Sequence, residues 1–331
     1  MATTRTARPL AGESVWKQAL SKREQPNRLL FKLCTGLSLL LILFTWFDIS
    51  GILKNLLSID ARFVLLALGI FVLQFALSCG RWMFILARQK TGLNRRAALS
   101  IYGIGTLANL FLVTSIAGMS VRAALLVRTG AGLSGALASL TAERLAAVAG
   151  LALCGGAGLI FALPLLQNEL GALPPARLLG VATAGLVLVI LAVGLICRKF
   201  TSLHAFVNQV WLAFSSVGAF LVLTTASIGV VLLGFAGMAA LAFGMGLAIE
   251  PVFFISVMPA IAFVSALPIS VGGWGVREGM MVAGLAIFSV PAEAAVALSI
   301  SYGLAGVFVA VLLGTASILM GEDGAKQTKR D

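Results

Sequence analysis

Apolar runs dominate this chain, and their lengths predict helices. Residues 29–47, 63–84, 136–163, 178–197, 217–243 and 294–320 form six such runs. Each is about as long as the roughly 20 residues that a helix needs to cross a hydrocarbon core. Two further apolar segments, 97–127 and 251–290, are interrupted by glycines and an arginine. The piece 280–290 covers about 16 Å as a helix, half a bilayer. Half-length pieces beside a Gly-rich break are the pattern of re-entrant helical hairpins. The expected fold is therefore all-α and polytopic, with about six transmembrane helices and two re-entrant helical hairpins. Residues 1–28 read as a cytoplasmic arm, 29–320 as a single membrane domain and 321–331 as a short cytoplasmic tail.

The two interrupted segments resemble each other. SIAGMSVR at 115–122 and SVGGWGVR at 270–277 align at an offset of 155 residues, with Ser, Gly, Val and Arg identical. Past the arginine, Leu125, Leu126 and Val127 face Met280, Met281 and Val282 at the same offset. Positive charge gives the direction. If both segments dip in and return to one side, with the N-terminus cytoplasmic, 19 of the 24 Lys and Arg residues fall inside: seven in 1–32, five in 80–96, two in 119–135, two in 198–216 and three in 320–331. A full crossing of the first segment would instead turn Arg198 and Lys199 outward, against the positive-inside rule. Three spans separate the two segments, so they enter from opposite faces. That is an inverted pseudo-repeat, as in transporters with a site near the midplane.

Composition sharpens the class. Hydrophobic residues make up 60% of the 331 positions, charged ones 11%, and mean hydropathy is +1.05. An ordinary globular domain carries about 25% charged residues, so this surface faces lipid. Some 28 mostly polar residues precede the first run, and no cleavable signal peptide is expected. The net charge of +12 fits orientation and contact with anionic headgroups. Nucleic acid is excluded as a partner, because the basic residues sit at the ends of apolar runs and form no stripe with aromatics. Cys34, Cys79, Cys154 and Cys197 show no paired spacing and read as buried small hydrophobes. His204 is the single histidine, which removes His-clustered metal sites and His-based triads. No cofactor or metal is expected, and no enzymatic activity.

The candidate chemistry lies in the interrupted segments. An arginine at membrane depth costs about 2.5–3.5 kcal/mol on translocon scales and so needs a partner. Its planar fork suits phosphate or carboxylate. Glycines beside it let backbone N–H groups turn toward an anion at a helix start. Arg122 and Arg277 are therefore the leading substrate-binding candidates, with Gly272, Gly273 and Gly275 beside the second. Alternatively, Arg277 pairs with Glu278 and pins the hairpin. Glu278 stands where the first copy has Ala123, so the copies are not equivalent. Glu143 and Arg144 follow, either neutralising Arg122 across the fold or forming an interfacial pair. Asn109 either caps the broken helix or touches a ligand. Arg81 and Trp82 close the second run, where snorkelling and aromatic anchoring are expected. Gly155, Gly156, Gly234 and Gly237 read as close helix-packing positions.

With LPISVGGWGVREG at 267–279, Arg81-Trp82 at a span end, the element from Asn109 to Arg122, and Glu143-Arg144, the chain resembles the lysylphosphatidylglycerol synthase transmembrane region, a flippase-like membrane domain family. The resemblance covers roughly residues 30–320. In full-length aminoacyl-phospholipid synthases such a domain precedes a soluble transferase domain and is implicated in moving the modified lipid. Here only the tail 321–331 follows the last run, so the resemblance implies lipid handling without synthesis. The first hairpin departs from the family's Pro-x-x-x-Gly-Gly-Asp-x-x-Arg. Thr114, Ala117 and Met119 replace the proline, one glycine and the acidic residue, which argues against a proton-coupling role there.

The leading expectation is thus a lipid translocator of flippase or scramblase type in a bacterial inner membrane. It would move an anionic phospholipid or polyprenyl-linked lipid whose headgroup binds between the two hairpins. The rival is a non-transporting membrane subunit that presents lipid to, or anchors, a separate transferase. A lipid-phosphate enzyme ranks last, having no His cluster, paired carboxylates or acidic metal motif.

Overall fold

The computed structural model describes residues 48–111, 117–170, 201–266 and 274–327. Every regular element among them is a helix: α1 (Ile49–Leu57), α2 (Ala61–Arg88), α3 (Arg95–Phe111), α4 (Ala117–Arg128), α5 (Leu133–Leu170), α6 (Thr201–Phe214), α7 (Val217–Gly244), α8 (Pro251–Ser256), α9 (Met258–Ala266), α10 (Val276–Ala286) and α11 (Ala292–Gln327). Four stretches are long and apolar enough to cross a membrane: Ala61–Arg88, Leu133–Gly158, Val217–Gly244 and Ala292–Leu319. They fall on the expected runs 63–84, 136–163, 217–243 and 294–320. The runs 29–47 and 178–197, and the arm 1–28, lie outside the described residues, so four of the six expected spans are seen. The last helix continues to Gln327, into the segment read as a tail.

Both interrupted segments fold as two helices in succession. In the first, α3 and α4 run antiparallel. Gly118 lies against the Gly105 carbonyl and Asn109, and Gly105 lies against the Arg122 side chain. In the second, α9 returns as α10, with Gly284 packed against Val257 and Ile261. The descending limb is continuous in the first segment and broken at Val257 in the second. Pro259 explains that break, since it has no N–H to give to the carbonyl four residues back.

The offset of 155 extends far beyond eight residues. Added to the bounds of α2, it gives 216 and 243, against Val217–Gly244 for α7; added to α3, it gives 250 and 266, against Pro251–Ala266 for α8 and α9 together. The same shift takes α1 onto α6, α4 onto α10 and α5 onto α11, within four residues at each end. Helices α1 and α6 were not anticipated, being short elements ahead of each long span.

The corresponding helices α2 and α7 pack antiparallel along their length. Asp60 meets the Gly244 carbonyl at one end. Gln74 Nε2 donates to the Val230 carbonyl at 2.9 Å midway, and Arg81 Nη1 donates to Ser227 Oγ at 3.0 Å toward the other end. Between lipid-facing helices there is no hydrophobic drive to associate, so contact rests on small residues that let the backbones approach. Gly237 seats the Phe71 ring, Gly234 the Gln74 amide and Gly244 the Phe63 side chain, while Gly150 brings α5 onto Ser227. Of the four glycines assigned to packing, Gly155, Gly234 and Gly237 meet a neighbour, Pro259 in the case of Gly155. Gly156 faces open space. Cys79 and Cys154 are buried free thiols.

The halves also clasp each other. Helix α3 of the first lies along α11 of the second, with Gly103 against Ser317 and Gly314 against Leu107. Helix α5 of the first lies along α8 of the second, with Gly158 against the backbone of Ile255. The two contacts correspond under the offset.

Candidate functional site

Each half buries a charged cluster around the arginine of its return limb. In the first half four helices meet there. Arg122 on α4 donates through Nη2 to Glu143 Oε2 on α5 at 2.6 Å. Its guanidinium lies 4.2 Å from the Trp82 ring centre on α2 and 4.4 Å from the Tyr102 ring on α3. Such stacking on two aromatic faces stabilises a cation by about 0.5–2 kcal/mol per ring. Arg81, one residue before Trp82, brings Nη2 to 3.9 Å from Glu143 Oε1. The side chains of Arg81, Arg122 and Glu143 are only 5%, 9% and 9% exposed. One carboxylate therefore serves two buried guanidiniums. Arg144 is exposed on the adjoining face of α5, its Nε 3.3 Å from Met119 Sδ.

Three donors in this cluster have no hydrogen-bond partner among the described residues: Arg81 Nε, Arg122 Nε and Trp82 Nε1. Asn109 is accounted for differently. Its Oδ1 accepts from the Gly118 N–H at 2.8 Å, so it caps the start of the return limb and ties the two limbs together.

In the second half the cluster is local. Glu278 is fully buried and takes Arg277 Nη2 at 2.9 Å and Nε at 3.2 Å on Oε1. Ser299 Oγ on α11 accepts from Arg277 Nε at 2.9 Å and donates to Glu278 Oε1 at 2.8 Å. Glu278 Oε2 accepts the N–H of Gly275, whose φ of +83° suits glycine at this helix start. A carboxylate three residues in that reaches back to the N-cap N–H is half of a capping box. Arg277 also lies 4.8 Å from the Trp274 ring centre and 5.7 Å from that of Tyr302. Gly303 makes room for it, because a side chain there would meet both Arg277 and Trp274. The anion facing the Gly275 N–H is thus the chain's own carboxylate. Gly272 and Gly273 lie outside the described residues.

The structure therefore joins Arg122 with Glu143 and Arg277 with Glu278, places Asn109 at the hairpin and leaves Arg144 at the edge. It adds Arg81, Trp82, Tyr102, Ser227, Trp274, Ser299 and Tyr302. Arg81 and Trp82 are corrected from interfacial anchors to buried residues. The helix runs to Arg88, so Arg81 sits about two turns inside it, near 10 Å from the end. Of the aromatics, Trp82 was legible only as an interfacial anchor, and Tyr102 and Tyr302 carried no signal in the sequence.

The two clusters lie at different levels along α2. Tyr302, beside Arg277, packs on Phe71 of α2 with ring centres 5.3 Å apart, whereas Arg122 stacks on Trp82 of the same helix. Those two α2 positions are separated by about 16 Å of helix. The crossing of α2 with α7, where a residue meets its own counterpart 155 later, falls near residue 76, midway between them.

No curated protein matches the chain. The family model described as lysylphosphatidylglycerol synthase TM region matches residues 29–314. A helical membrane architecture with four apolar helices of spanning length accords with that match, and the chain belongs to the lysylphosphatidylglycerol synthase transmembrane region family.

Proposed function

We propose that this membrane protein translocates a lipid with an anionic headgroup, a phospholipid or a polyprenyl-linked lipid, as a flippase or scramblase. The carrying observation is that the return limb of each half holds a largely buried arginine, and that the first half sets two buried guanidiniums, Arg81 and Arg122, against the single carboxylate of Glu143. A headgroup moving between leaflets needs a cation along its path, since anion burial in hydrocarbon costs many kcal/mol when uncompensated. Family membership supports a lipid-related role. The corresponding antiparallel helices support an inverted repeat whose two hairpins enter from opposite faces. The site sits in a bacterial inner membrane, with both termini cytoplasmic, and carries out no covalent chemistry.

The test is leaflet exchange of fluorescent phospholipids in liposomes holding the purified protein. Exchange should depend on protein and be lost in Arg122→Ala, with insertion and thermal stability measured in parallel. Absence of exchange for both phospholipid and polyprenyl-phosphate probes, in inserted wild type, would sink the reading and favour a subunit that presents lipid to, or anchors, a separate transferase.

A further inference from the structure

We propose that Arg81, Trp82 and Arg122 form a site for a singly charged phosphate oxyanion, making the first half the headgroup-binding half. This deepens the reading above and rests on it for the lipid origin of the phosphate. The cluster buries two guanidiniums against one carboxylate, so one positive charge is left over among Arg81, Arg122 and Glu143. A phosphodiester carries one negative charge. Its oxygens accept several hydrogen bonds at once, and the cluster holds three buried N–H donors without partners among the described residues: Arg81 Nε, Arg122 Nε and Trp82 Nε1. The remaining contacts fix those donors in place. Glu143 anchors Nη2 of both arginines, Ser227 Oγ anchors Nη1 of Arg81, and the Trp82 and Tyr102 rings hold the plane of Arg122.

The second half keeps two rings beside its arginine, Trp274 and Tyr302, but differs in charge and in free donors. Under the offset, Arg81 and Trp82 correspond to Ala236 and Gly237, and Glu143 to Leu298. The Arg277 charge is matched by Glu278, and its Nε already donates to Ser299. Among the described residues, the charge of this cluster is thus already balanced. Arg81 is thus a specificity residue that the interfacial reading had set aside.

The experiment is native mass spectrometry of the detergent-solubilised full chain with three probes of matched concentration: short-chain phosphatidylglycerol, diacylglycerol of the same chain length, and inorganic phosphate. Wild type should retain phosphatidylglycerol and not diacylglycerol. Arg81→Gln should lower retention roughly ten- to a hundredfold, the worth of a charged hydrogen bond. Trp82→Phe keeps a stacking ring and removes only the N–H, so it keeps the test open if Arg81→Gln fails to fold; it should lower retention several-fold. Arg62→Gln, an exposed charge outside the cluster, controls for net charge.

Retention of inorganic phosphate alone would support the oxyanion site and assign it to a free anion. Equal retention in wild type, Arg81→Gln and Trp82→Phe would overturn the site. Leaflet exchange that survives Arg81→Gln and Trp82→Phe would overturn it while leaving translocation standing. Binding lost in both variants, with no exchange in wild type, would uphold the site and remove translocation.

Discussion

The two halves of this molecule share a scaffold and bury their arginines in different ways. In the second half the carboxylate is the neighbouring residue, so Arg277 and Glu278 enter the fold already paired, and Ser299 and the Gly275 N–H complete the carboxylate's contacts. In the first half the carboxylate comes from another helix, so Arg122 is neutralised only once α4 and α5 have docked, and Arg81 of α2 shares the same Glu143. A pair adjacent in sequence stiffens one element. A pair spread over four helices couples them, and it leaves charge and donors unspent. One frame thus supplies a closed half and a half with capacity for an anion.

The largest expected effect follows from that sharing. Glu143→Leu leaves two buried guanidiniums without a carboxylate, and Glu278→Leu leaves one that is slightly exposed. Breaking a buried pair costs about 3–5 kcal/mol, so both variants should unfold at lower temperature in detergent, Glu143→Leu the lower. Equal losses would mean that Arg81 draws little from Glu143.

Removing both partners separates the halves more sharply. Arg277→Met with Glu278→Leu replaces a self-contained pair by apolar groups, a change that is often neutral or stabilising by about 1–4 kcal/mol. Arg122→Met with Glu143→Leu strands Arg81 and should remain destabilised. Thermal unfolding of the two double variants, each against its single Glu variant, reads the difference directly. Recovery in both would show that the clusters are equivalent after all.

Of middle size is the clasp between halves. A Cβ at Gly158 would meet the Ile255 backbone, which cannot rotate away, whereas one at Gly156 on the same helix meets nothing. Gly158→Ala should cost about 1–3 kcal/mol through overpacking. Gly156→Ala should gain up to about 1 kcal/mol of helix propensity. Matching Tm shifts in the two variants would mean that the halves do not bear on each other at this contact.

The smallest effect concerns the caps of the central pair. Asp60 caps α2 by accepting the Arg62 N–H at 2.9 Å, while Ser216 caps α7 by accepting the Ala219 N–H at 3.2 Å. The Arg62 side chain, then its backbone N–H, holds the Asp60 carboxyl below its usual range. A depressed folded pKa contributes stability that is present above the unfolded value of about 3.9 and is lost as pH falls through the folded one. A slight acid-side loss should therefore appear in wild type and vanish in Asp60→Asn. Ser216→Ala should leave its pH profile unchanged. An identical acid limb in Asp60→Asn would remove Asp60 from the account.

Much of the frame was legible because it rests on local chemistry. Runs of apolar residues with few charges can satisfy their backbone only as helices, and the runs at 63–84, 136–163, 217–243 and 294–320 fall on four spans of the structure. The glycine-arginine motif pointed to two corresponding hairpins, since a charge that is costly in lipid is costly at both places. The site was less legible. Arg81 looked interfacial because the apolar run seemed to end there, yet the helix continues to Arg88 and carries it inward. Trp82 read as an interfacial anchor and Tyr102 gave no signal, because no pattern along one chain shows that two rings will close on an arginine 20 to 40 residues away.

Sequence alone determined the membrane class, the long apolar helices and the arginine in each half, because each follows from the cost of placing one residue type in lipid. It also offered the Arg277–Glu278 pair as one of two readings, because its partners are adjacent, and the structure chose it. Only the tertiary structure decided that one glutamate answers two arginines in the first half. Charge balance in a low-dielectric interior depends on which helices touch, and the contact among α2, α3, α4 and α5 is written in no local stretch of the chain.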